Sequence, residues 1–171
     1  MSGARNVRGG LALLAAGLVA GLAMSLYAFD PIVTPPAALA DYDSLPRRLL
    51  RLAHVAAGML PLLNIALAPL VDRVRLSRRG REAASWALLG GAAALPAALA
   101  LQAVWPLARA AHLAAPPALA FTAGVLLLAA GAWRTPAAEL LGAPTARRAG
   151  AITARATRRH SVPSRTSTRA A

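Results

Sequence analysis

Two histidines, His54 and His112, are the residues of this chain best suited to chemistry. Neutral imidazole binds transition metals and haem iron. The hydropathy pattern places both towards the same side of the membrane on different elements, His54 about two turns into an apolar helix and His112 just before another. Asp41 and Asp43 fall in the same outer layer. These residues support a bound haem or metal ion as the cofactor reading. The favoured reading is an interfacial or hydrogen-bonding role, because neither histidine has a second one four residues away on its own helix.

His54 belongs to a longer pattern. At 100° per residue, Arg47, Arg51, His54, Gly58, Pro61, Asn64, Ala68 and Asp72 share an arc of about 140°. Large apolar residues such as Leu52, Val55, Met59, Leu63, Leu67 and Leu70 occupy the rest of the helix. In a lipid environment such a polar face must turn towards other helices or a cavity. Asn64 near mid-membrane needs a hydrogen-bond partner, and Gln102 is the only comparable amide in another predicted span. Pro61 withholds an N–H from the carbonyl of Ala57, one turn back.

Motif-based catalysis is not visible. The chain has no G-x-S-x-G, H-E-x-x-H or P-loop pattern. It has no cysteine, which excludes thiolate nucleophiles and disulfide exchange. No carboxylate falls inside an apolar stretch, which argues against a proton-coupled exporter. On these grounds the chain is not expected to be an enzyme.

The elements that carry these residues are set by the spread of charge. Hydrophobic residues make up 57% of the 171, and the mean hydropathy is +0.52, above soluble domains. Charges cluster, and the uncharged runs between them are long enough for the roughly 20 helical residues that cross a ~30 Å core. Four spans are predicted, over residues 9–29, 48–71, 83–105 and 114–133. The fold class is therefore all-α, an integral membrane four-helix bundle with antiparallel neighbours. Residues 1–134 form the transmembrane domain and residues 135–171 a disordered, Arg-rich cytoplasmic tail. The first stretch reads as a retained span; Ala38-Leu39-Ala40 has the form of a signal-cleavage site but lies well past the apolar run. Gly17 and Gly21 form a G-x-x-x-G, a seam where two helices approach, within the bundle or between subunits.

Orientation follows the arginines, since all 19 basic residues are arginine. Fifteen fall on the side of the N-terminal flank, the second loop and the tail, against four on the other. This predicts a multi-pass inner-membrane protein of a bacterium with both termini in the cytoplasm. Arg73, Arg75, Arg78, Arg79 and Arg81 form a basic loop next to anionic lipid headgroups, at about 1 kcal/mol per residue. The tail lacks interleaved aromatics, so lipid is expected as its partner and nucleic acid is not.

Three functions fit this frame. The favoured one is a non-catalytic accessory or assembly subunit of a larger membrane complex, with a membrane-protein partner or further copies of itself. The second is a small haem- or metal-binding membrane protein using His54 and His112. The third is a small-solute pore or carrier lined by the face that bears His54, Pro61 and Asn64.

Overall fold

The computed structural model describes residues 2–26, 32–105, 107 and 111–141. The elements are α1 (Ser2–Ser25), a single turn α2 (Ala37–Ala40), α3 (Leu45–Arg73), α4 (Arg78–Val104), α5 (Ala115–Trp133) and a second single turn α6 (Ala137–Leu140). No strand occurs among the described residues. Four helices, α1, α3, α4 and α5, are long and apolar enough to cross a membrane. Even the shortest of them, α5 with 19 residues, covers about 28 Å at 1.5 Å per residue. The chain is an all-α, multi-pass membrane protein.

The four long helices belong to one compact unit that ends at Thr135, and α6 belongs to a second that starts at Pro136. Arg109 and the tail from residue 142 onward lie outside the described residues. Thr135 completes the bundle: its hydroxyl donates to the Gly131 carbonyl at 2.8 Å and accepts the Arg75 N–H at 2.8 Å. This ties the end of α5 to the turn between α3 and α4.

Helix α3 is the hub, packed along both α1 and α4, with α5 on the far side of α4. Small residues make this possible. A Cβ at Gly3 would lie 2.6 Å from the Ala68 carbonyl oxygen, and one at Gly17 would lie 2.6 Å from that of Ala57. The α4–α5 seam repeats the device, with Gly91 against Phe121 and Gly124 against Leu88. In lipid there is no hydrophobic drive to join helices, so close backbone approach supplies the packing energy. Gly17 and Gly21 therefore form a seam inside the bundle, against α3.

Two helices start earlier than charge alone suggested. Helix α1 begins at Ser2 rather than residue 9, and α4 at Arg78 rather than residue 83. Charge marks the edge of the hydrocarbon, not the end of the helix. Helical hydrogen bonding continues through the charged residues, and Ser77 caps α4 by accepting the Gly80 N–H at 3.1 Å. The basic loop is thus only residues 74–77, and of its five arginines Arg73 ends α3 while Arg78, Arg79 and Arg81 lie in the first turn of α4.

Candidate functional site

The polar face of α3 divides into two places with different chemistry. At the end where α3 meets α4, Asn64 is fully buried. Its Oδ1 accepts the Asn6 Nδ2–H at 2.7 Å. The Ser85 hydroxyl donates to Asn6 Oδ1, and Arg5 Nη2 donates to Ser85 Oγ at 2.8 Å. The Arg5 guanidinium also lies over the Trp86 ring, 4.3 Å from its centre. Helices α1, α3 and α4 are thereby joined through one buried polar cluster. Asp72 belongs to the same end: its two carboxylate oxygens each accept a first-turn N–H of α1, from Ser2 and Gly3, at 3.2 Å. A carboxylate at a helix N-terminus is favourable on charge grounds as well. Asp72 thereby holds the start of α1.

Asn6 and Ser85 were not singled out from the sequence, and Gln102 is not the partner of Asn64. The missed signal was present in α1. Its buried residues are Gly3, Asn6, Gly10 and Gly17, spaced three, four and seven apart. That helical period runs through the arginines that had been taken as the border of the span.

About ten residues further along α3, the chemistry changes. His54 is exposed and takes part in none of the hydrogen bonds of the cluster. Its ring lies against Gly21, where an added Cβ would overlap Cε1 and stand 3.0 Å from both ring nitrogens. His54 lines a cavity of about 410 Å³ between α1, α3 and α4, and among the described residues is the only polar one in its wall. It also lines a second groove of about 340 Å³ between α1 and α3, with Leu18, Val55 and Met59. Pro61 contributes to the first cavity, and the Ala57 carbonyl that Pro61 frees faces Gly17.

His112 is not part of this site. It sits in the turn of residues 111–114 before α5, exposed, with a left-handed φ of 49°, and it lines neither groove. Among the described residues no three His, Asp or Glu side chains come together as a metal-binding group.

The cavity thus sets one exposed imidazole in a wall of otherwise apolar described residues. The sequence over residues 3–140, which holds all four long helices, matches the model of the styrene oxide isomerase family. The chain belongs to the styrene oxide isomerase family. No curated protein and no solved structure matches it.

Membership in an isomerase family overturns the expectation that the chain is not an enzyme. Nor does it support the accessory-subunit reading. The physical reason is the kind of chemistry. The motifs sought from the sequence serve hydrolysis and phosphoryl transfer, which need an activated nucleophile. An isomerisation within one molecule needs no external nucleophile, and a styrene oxide isomerase can carry none of those motifs.

Proposed function

We propose that this membrane protein isomerises a small aryl epoxide of the styrene oxide type to its carbonyl isomer, in the apolar cavity beside His54. The observation that carries the reading is His54 itself, the sole polar side chain among the described residues in the wall of that cavity, in a chain whose family is named for this reaction. A cavity of about 410 Å³ falls within the ~300–1,000 Å³ usual for small-molecule sites. The reaction is balanced without co-substrate: the benzylic C–O bond breaks, a hydride moves from the neighbouring carbon to the benzylic one, and C=O forms at the carbon it leaves.

The protein must then exclude water, hold the epoxide, and supply an electrophile for the developing alkoxide. Ala16, Ala20, Ala93 and Ala97 keep the wall apolar, so no hydroxyl competes for the cation. The donor set discriminates between cofactors. One imidazole without neighbouring acids or histidines does not suit zinc or copper, which take three or four protein ligands. It does suit haem, whose iron brings four nitrogens of its own and takes an axial histidine. Held by His54, haem would supply Lewis-acid chemistry at its iron. Gly21 keeps the imidazole in place and leaves room at its ring nitrogens. The groove on the other side of His54 is apolar too, lined by Leu14, Leu18, Val55, Met59 and Leu62.

The test uses the purified protein in mild detergent, incubated with styrene oxide, with the carbonyl product measured by gas chromatography and the absorption near 400 nm recorded. Product formation and a Soret band, both lost in His54→Ala, are expected. Product formation that survives His54→Ala would sink the assignment of the site.

We further propose the orientation given by the arginines, with both termini in the cytoplasm of a bacterial cell and Arg73, Arg75, Arg78, Arg79 and Arg81 among anionic headgroups. Fifteen arginines on one side against four support it. A C-terminal reporter active only in the cytoplasm should report activity; a signal from a periplasm-active reporter would reverse the topology.

A further inference from the structure

Helices α1 and α4 run in the same direction and touch at the end that holds Arg5, Asn6 and Gly9. There Arg5 reaches Ser85 and Trp86, Asn6 reaches Ser85, and Gly9 packs against the Leu89 side chain. Continuing that register by one turn at a time sets Leu13, Ala16 and Ala20 of α1 opposite Ala93, Ala97 and Ala100 of α4. Facing alanines cannot fill the space between two helices, and these six residues line the cavity of about 410 Å³. Ala16, Ala20, Ala93 and Ala97 are exposed, and the cavity between the two helices is open, not enclosed. The opening lies in the apolar stretch of both helices, beyond the polar cluster. Pro96 sits in α4 at this level and lines the same cavity.

We propose that this α1–α4 gap is a lateral mouth through which an aryl epoxide enters from the bilayer, and that its aryl group lies between Ala20 and Ala97. The inference rests on the isomerase reading and specifies its substrate route. An aryl epoxide is apolar and concentrates in hydrocarbon. A wall that is apolar except for His54 offers it no desolvation barrier. The alanines then set substrate size. The mouth also predicts tolerance for substituents that point outwards into lipid.

The absence of cysteine from the chain makes the test site-specific. Ala20→Cys and Ala97→Cys are each labelled with benzyl methanethiosulfonate in detergent, and labelling is verified by intact mass. Leu22→Cys, exposed on the opposite face of α1, is the control. Both mouth variants should label, lose styrene oxide turnover by about ten-fold or more, and recover it with dithiothreitol, while the labelled control stays within about two-fold. An unlabelled protein should convert a para-hexyl styrene oxide within about ten-fold of the parent substrate. Failure of both mouth positions to label, unchanged turnover after labelling, or rejection of the para-hexyl substrate by a protein that converts styrene oxide would each overturn the lateral mouth. A wild-type protein that converts no styrene oxide fails earlier, before any label is added, and sinks the isomerase reading itself.

Discussion

Asn64 and His54 lie on the same face of one helix, ten residues apart, and have opposite fates. Asn64 is fully buried and bonded to Asn6 within a cluster that joins three helices. His54 is exposed, unbonded in that cluster, and set in an apolar wall. The comparison teaches how to tell structural from functional polarity in a membrane. Asn64 Oδ1 is satisfied while its buried Nδ2 has no partner among the described residues, so it is enclosure between helices, not complete pairing, that separates the two residues. Where neighbouring helices close over a polar group with partners, it holds the bundle together. Where they part and leave it facing a cavity, its remaining capacity is available to a ligand. Glycine serves both ends differently: Gly3 and Gly17 let backbones touch, whereas Gly21 makes room for a ring.

The sharpest way to break this contrast is His54→Ala. Turnover of styrene oxide should fall by at least about a hundred-fold, roughly 2.7 kcal/mol in transition-state terms, with the thermal midpoint of the ligand-free protein unchanged. A parallel loss of folding, read by circular dichroism, would make His54 structural. Gly17→Val should act in the reverse manner. It drives a side chain into the Ala57 carbonyl and should cost about 1–3 kcal/mol of stability, visible as a lower thermal midpoint in detergent. An undiminished midpoint would mean that α1 and α3 are not in close contact.

Gly21→Ala sharpens the comparison further, since its Cβ would overlap the His54 ring. Activity should drop about ten-fold with little change in thermal midpoint; equal activity would remove Gly21 as a positioning residue. Asn64→Leu should cost about 1 kcal/mol, the size of one interhelical hydrogen bond in a membrane. The surviving protein should keep its turnover within about two-fold at low temperature, and a loss of turnover at unchanged stability would place Asn64 in the reaction. The smallest effect is expected for His112→Ala, which should leave turnover within about two-fold, because His112 lines neither groove. A loss comparable to that of His54→Ala would bring His112 back to the site.

The sequence by itself determined the class of this protein. Long uncharged runs separated by arginine clusters leave no other way to satisfy backbone hydrogen bonds than membrane-spanning helices, and the four helices are there. It also determined that His54, Pro61 and Asn64 share one face, because helical periodicity needs no tertiary information. It did not determine which of them is paired. That depended on α1 running back to Ser2 and bringing Asn6 beside Asn64 and Arg5 beside Ser85, contacts across 58 and 80 residues. The sequence placed His112 in a turn before the last helix and His54 within a helix, as the structure has them, but only packing showed that His54 lines a cavity and His112 lines neither groove. Periodicity is a property of one helix, whereas a site is made where several helices meet or part, and that was decided by the tertiary structure alone.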